Sequence, residues 1–320
     1  MSAVRNANAV TRAGVLRALG AAGAALAVPA VARAAGKNVT VRIGTIASDV
    51  SAEPLYADAQ GIFGRGGLDA QISALANGGA IIAAVASGAL DAGFANLTSI
   101  AAARQRGVPV RILAPATMYT DKAAVTVLVR ARGSKLRTGG DLRDKTIAVS
   151  TLKGELQVGA SAWIDKNGGD ASRTHFIEMP FSAMAAALAA GRVDAAMLTE
   201  PALTIHKDAV ELLARAYTAI ADEFLIGAFV ASESWLRDNA DAAKRFTAAM
   251  AETARWANAH HAETAVILAK RASLDEALVR SMTRATYGER LDAEHVQPVL
   301  DAAVKYGSLK SAMKASELIG

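Results

Sequence analysis

The 320-residue sequence contains no cysteine, which excludes disulfides, thiolate metal sites and thiol nucleophiles at once. Aromatic residues are scarce, and Trp163, Trp235 and Trp256 fall at apolar positions of helical patterns, where they read as core. The usual catalytic templates are missing too: no G-x-S-x-G elbow, no H-E-x-x-H and no P-loop G-x-x-x-x-G-K occurs. Gly61, Gly64, Gly66 and Gly67 imitate a dinucleotide loop, but they follow a helical pattern, and Asp69 stands where the third glycine belongs. The five histidines are scattered, and His260-His261 beside Glu263 lacks further ligands at zinc spacing. No catalytic residue, metal site or cofactor is therefore expected.

Acidic residues are absent from residues 1–34, which carry Arg5, Arg12, Arg17 and Arg33. An apolar run over 18–28, Pro29 and the small-x-small Ala32-Arg33-Ala34 complete the pattern of a secretory signal peptide, cleaved near Ala34-Ala35. The run is too short to serve as a membrane anchor. Residues 11–17 resemble a twin-arginine export motif lacking its second arginine, which favours the general secretory route. Removing the peptide leaves 31 basic residues (35 minus 4) against 30 acidic ones. The basic balance thus belongs to the signal, and nucleic-acid binding loses its electrostatic support. With no cysteine at the cleavage site to carry a lipid, the expected compartment is a Gram-negative periplasm.

The rest of the chain is organised around a repeat. Ser87-Gly88-Ala89-Leu90-Asp91-Ala92 returns 103 positions later (194 minus 91) as Ala190-Gly191-Arg192-Val193-Asp194-Ala195. In each copy an alanine-rich helix stops at a glycine and a short apolar strand follows, ending at Asn96 or Glu200. Strand patterns over 39–46, 70–75, 92–95 and 110–114 alternate with helical ones over 54–63, 80–86 and 99–105. The same order recurs from 145 to 214, and strands spaced by helices of about ten residues mean a parallel α/β sheet. The fold class is α/β: two lobes, each a mainly parallel sheet flanked by helices. The apolar runs 124–129 and 224–231 are expected to cross between the lobes, and the helices after 232 to pack back on lobe one. That divides the chain into 38–123 for the first part of lobe one, 124–231 for lobe two with the crossings, and 232–320 for the returning helices. Ser273-Leu274-Asp275-Glu276 reads as a capping box.

In open parallel sheets ligands bind beyond the carboxyl ends of the strands, where helix starts present free amides. The polar residues at such places are Ser48, Asp49, Asn77, Gly78, Gly79, Asn96, Thr98, Thr117 and Tyr119 in lobe one. In lobe two they are Thr151, Gly154, Glu155, Ser182 and Glu200. Each has a competing role, since serine, threonine, asparagine and aspartate also cap helices and form turns.

With these residues in view, the chain resembles the periplasmic substrate-binding proteins of ABC importers, in the branch for alkanesulfonates, taurine, nitrate and thiamine-pyrimidine precursors. Pro54-Leu55-Tyr56-Ala57 through Gly61-Ile62-Phe63 and Gly67-Leu68-Asp69-Ala70 is similar to that branch's P-L-Y-x-A-x-x-x-G-x-F-x-x-x-G-L-D-V run, and the likeness spans the chain after the signal. The resemblance implies closure of two lobes on a small polar or anionic organic ligand, transient docking to an inner-membrane permease, a monomer, and no catalysis. A sensor subunit that presents the solute to a receptor is the alternative. An enzyme similar to the fungal thiamine-pyrimidine synthases would need a cysteine-rich iron motif that this sequence lacks. Sulfonate binders of the branch carry an aromatic before the acid-proline pair, whereas Leu198-Thr199 precedes Glu200-Pro201 here, which weighs against a plain sulfonate. Glu200 then has two readings: it meets a donor or cation on the ligand, or it bonds to backbone near the hinge.

Overall fold

The computed structural model describes residues 38–46 and 48–320. The export signal expected over 1–34 lies outside them. Lobe one opens with β1 (Val39–Thr45), whose alternation buries Val41 and Ile43 completely. It continues through α1 (Glu53–Ala59), α2 (Ile62–Arg65), β2 (Leu68–Ala74), α3 (Gly78–Ala86), β3 (Ala92–Asn96), α4 (Leu97–Gln105) and β4 (Val110–Pro115). The single helix expected over 54–63 is in fact two, because Gly61 adopts φ +65° and turns the chain between them. After β5 (Thr117–Thr120) and β6 (Thr126–Ala131) comes β7 (Thr146–Val149). Lobe two then builds α5 (Glu155–Lys166), β8 (His175–Glu178), α6 (Phe181–Ala189), β9 (Ala195–Thr199), α7 (Ala202–Ile205) and β10 (Val210–Ala214). The chain returns through β11 (Glu223–Leu225) and β12 (Gly227–Ser232). It ends in α8 (Glu233–Asp238), α9 (Ala240–Ala259), α10 (His261–Ala272), α11 (Glu276–Ser281), β13 (Thr286–Tyr287) and α12 (Ala293–Lys305).

The two large sheets have the same topology. Sheet one runs β2-β1-β3-β12-β4 and sheet two runs β8-β7-β9-β6-β10, and in each the fourth strand alone opposes the rest. The repeated aspartate explains its own recurrence. Asp91 accepts the Arg42 amide at 2.8 Å, and Asp194 accepts the Thr146 amide at 2.9 Å, clamping β1 and β7 respectively. A basic partner is repeated at the same spacing: Arg42 lies 2.6 Å from Asp91 and Lys145 lies 3.1 Å from Asp194. Gly88 and Gly191, three residues before each aspartate, have φ +77° and +66°, the left-handed turn that ends the preceding helix.

The expected crossings require correction. Run 124–129 and all of 224–231 beyond Leu225 do not span the lobes, because β6 and β12 are interior strands of sheets two and one; Phe224 and Leu225 belong to β11, one of the links. The largely apolar character of β6 and β12 reflects burial on both faces. The links are the segments just before them, β5 and β11, which pair antiparallel from Thr120↔Glu223 to Met118↔Leu225. The strand β13 adds to the other edge of β5 as a third member. Lobe one is discontinuous, since β12 fills it after the chain has been through lobe two.

The helices α9 and α10 pack on α1 of lobe one, but α12 touches α4 of lobe one and α5 of lobe two. Its Tyr306 hydroxyl donates to Asp165 of α5 at 3.1 Å. The capping box expected at Ser273 is displaced. Ser273 closes α10 in the left-handed conformation (φ +55°), and Asp275 caps α11 by accepting the Leu278 amide at 2.8 Å. Among the described residues no helix is long and apolar enough to cross a membrane.

Candidate functional site

At the carboxyl end of sheet one the chain turns directly from β3 into α4, so Asn96 serves as the cap. Its side-chain oxygen accepts the Ser99 amide at 2.8 Å and the Thr98 hydroxyl at 2.9 Å, which leaves the Asn96 amide NH2 uncommitted. Thr98 is buried. Asn77 caps α3 in the same way, taking the Ala80 amide at 2.9 Å. Gly78 lies so close to β3 that a β-carbon would stand 3.2 Å from the Ala95 Cα, a reason for glycine there. Asn77, Gly78, Gly79, Asn96 and Thr98 thus gather at the carboxyl end of β3.

Asp49 belongs to a different constellation. Its carboxylate is 1% exposed and accepts Arg284 Nε at 3.0 Å, Arg284 Nη2 at 2.7 Å, the Ala285 amide at 2.7 Å and the Tyr56 hydroxyl at 2.9 Å. Burial alone would lower the Arg284 guanidinium, but its bonds and charge attraction to Asp49 outweigh that and raise it. Burial, reinforced by the Asp49 charge, also raises the Tyr56 phenol. The cluster ties the loop after β1 to the segment around β13. Every Asp49 acceptor is engaged inside the protein. Ser48 stands beside it, 3.3 Å from the Ser51 hydroxyl, and Thr117 donates to the Val50 carbonyl.

Glu200 is buried and equally occupied. It accepts the Thr204 amide at 3.0 Å, the Thr204 hydroxyl at 2.9 Å and the Thr283 amide at 3.0 Å. Burial raises its pKa, and those three bonds work against the rise. The bond to Thr283 joins lobe two to the C-terminal segment beside Arg284. Of the two readings of Glu200, these bonds match the backbone one.

Glu155 is different. It opens α5 after Gly154 and is 3% exposed, and neither carboxylate oxygen has a hydrogen-bond partner. Burial raises its pKa well above the ordinary carboxylate range. The Leu97 amide of α4 is near, but its hydrogen is donated to the Ile226 carbonyl at 3.1 Å. Tyr119, on β5, is buried with its hydroxyl unpartnered, and burial pushes that phenol up to about 12. Its ring lies 5.5 Å from Tyr217 and 5.3 Å from Phe224, centroid to centroid. Thr151 and Ser182 are exposed, and no side-chain hydrogen bond fixes either.

Residues that pattern reading missed include Tyr217, Arg284 and Tyr287. Arg284 and Tyr287 sit in a short irregular stretch with no periodic signal, and Tyr217 lies in a single 3-10 turn. Among the described residues no group of three or more His, Asp or Glu is placed to hold a metal ion. A cavity of about 450 Å³ lies at the opposite, amino end of sheet two, beside Lys145 and Asp194.

Two α/β lobes of one topology, joined by paired strands, define the architecture of periplasmic solute-binding proteins. The chain belongs to the NMT1/THI5-like family, whose profile matches residues 50–264. A candidate binding protein from Brucella abortus is 25% identical over 310 residues, covering 89% of this chain and 91% of that protein. The periplasmic aliphatic sulphonate binding protein SsuA from Escherichia coli shares the fold with TM-score 0.73 at 15% identity, over 88% of this chain and 92% of that one. The periplasmic nitrate-binding protein NrtA from Synechocystis PCC 6803 does so with TM-score 0.71 at 16% identity, over 88% and 85%.

Proposed function

We propose that this protein is the solute-binding component of an ABC-type importer. It is exported to the periplasm with cleavage near Ala34-Ala35. There it captures a small polar organic molecule between its lobes and delivers it unchanged to a membrane permease. The observation that carries this reading is the duplicated topology with polar strand ends and helix starts in both lobes, joined through the β5 and β11 segments and bridged by α12. A ligand that touches both lobes binds the closed arrangement better than the open one, and that difference in affinity shifts the population. The ligand-binding set proposed is the one at those ends, with Gly78, Asn96 and Thr98 from lobe one and Glu155 from lobe two at its centre. Family membership and the solved folds of SsuA and NrtA support the same reading. The test is solution scattering of protein recovered from the periplasmic fraction, with and without the small-molecule extract of the growth medium. The expected result is compaction on addition, with the bound molecule recovered chemically intact. No compaction, or a product in place of the molecule added, refutes the proposal.

A further inference from the structure

The carboxylate of Glu155 is buried, has no hydrogen-bond partner on either oxygen, and no basic side chain bears on it. A carboxylate withdrawn from water without a counter-charge is so unfavourable that it keeps its proton or waits for a partner. Its surroundings say what partner fits. One helical turn along the same face of α5 is Gly159, and the Tyr217 ring covers that glycine so closely that a β-carbon would lie 2.3 Å from it. Tyr217 therefore stands beside the carboxylate, and the Glu155 charge adds to burial in raising its phenol. Phe224 and Tyr119 back this ring, each 5.5 Å from it between centroids. On the lobe-one side is the start of α4 at Leu97, whose amide is already committed.

A carboxylate beside an aromatic ring is the chemistry that holds an organic cation, through charge and through the ring's negative face. The same feature turns anions away. A helix start with free amides would draw a sulfonate or nitrate. The start of α5 instead carries its own buried acid, whose ionised form a cation would stabilise and an anion would further disfavour. We propose that the solute bears its charge on nitrogen, as an ammonium or guanidinium-like group, and that Glu155 is the residue that receives it, with Tyr217 alongside. This rests on the solute-binding reading and deepens it.

The test is calorimetric titration of the full exported protein and of Glu155→Gln near neutral pH. The probes are methylammonium, guanidinium and benzamidinium, set against methanesulfonate, nitrate and uncharged cytosine. Glu155→Gln keeps the side chain's shape and removes its capacity to ionise, and its unliganded melting temperature should equal or exceed the wild-type value. The expected result is saturable binding of at least one cation, weakened about tenfold or more in Glu155→Gln, a loss typical of a hydrogen bond to a charged group. Cation binding that Glu155→Gln leaves unchanged overturns the assignment. If methanesulfonate, nitrate or cytosine binds and no cation does, the inference falls and the solute-binding reading stands. If no probe binds, the inference falls, and the scattering experiment alone then decides the solute-binding reading.

Discussion

Replacing Arg284 with methionine removes the guanidinium from Asp49 while keeping an unbranched side chain of similar reach. In the intact protein the two charged side chains are 8% and 1% exposed and meet through two parallel bonds of 3.0 and 2.7 Å. After the change, Asp49 keeps the Ala285 amide and the Tyr56 hydroxyl. These satisfy lone pairs but do not neutralise a buried charge. Breaking such a pair from one side costs about 3–5 kcal/mol, whereas an exposed pair is worth at most about 1 kcal/mol. Arg284→Met should therefore lower the unfolding free energy by about 3–5 kcal/mol. The double variant Asp49→Asn, Arg284→Met should regain a large part of that, because no orphan charge remains. Urea unfolding read by tryptophan fluorescence and by circular dichroism measures both, as a shift in midpoint at constant slope. A loss below about 1 kcal/mol in the single variant, or a double variant no better than the single, would refute the claim that this pair is charged and dry.

Two further predictions follow from the acids. Glu53, Glu155 and Glu200 are all raised above their ordinary value of 4.5, burial being the first cause in each. A raised acid holds a proton in the folded state that the unfolded chain has released, so its contribution is full below 4.5 and is lost as pH rises through the folded value. The groups facing them are Tyr287 for Glu53, Tyr217 for Glu155, and Asp49, Thr204 and Thr283 for Glu200. The exposed Asp141, Asp170 and Glu233 are lowered and act in the opposite sense. The informative quantity is thus the melting-temperature difference between wild type and Glu155→Gln, which should widen in favour of the variant as pH rises above 4.5. A flat difference removes Glu155 from the account. The repeated aspartates should differ in weight: Asp91→Ala, losing a side chain 8% exposed and bonded three times to Arg42, should cost about 1.5–3 kcal/mol. Asp194→Ala, with a side chain 34% exposed, should cost about 1 kcal/mol, and equal losses in urea unfolding would contradict this.

The sheets and long helices were legible because their periodicity is written locally, and the duplication could be read from two glycine-aspartate copies 103 positions apart. The links between lobes were not. The strands β5, β11 and β13 have four, three and two residues, too few for alternation to show, while the more apolar β6 and β12 beside them drew the reading away. The shift of the α11 cap from Ser273 to Asp275 has a similar cause. Both residues satisfy the cap chemistry, and only the left-handed close of α10 at Ser273 decides between them.

The site residues show a different limit. Asp49, Glu155 and Glu200 are acids at the ends of strands or the starts of helices, and the sequence offers no ground for ranking them. What separates them is which partners come from far along the chain. Asp49 receives Arg284 from 235 positions away, and Glu200 receives the Thr283 amide from 83 away. Both are thereby turned inward to hold the frame. Glu155 has no ion-pair partner and no hydrogen bond on either oxygen, although the Leu97 amide of α4 lies near and the Tyr217 turn closes around it. The fold meets Asp49 by ion pairing and Glu200 by hydrogen bonding, and among the described residues it leaves Glu53 and Glu155 without a hydrogen-bond partner. Under the proposal above, Glu155, which opens α5 of lobe two near Leu97 of α4 in lobe one, is the one whose complement the solute supplies.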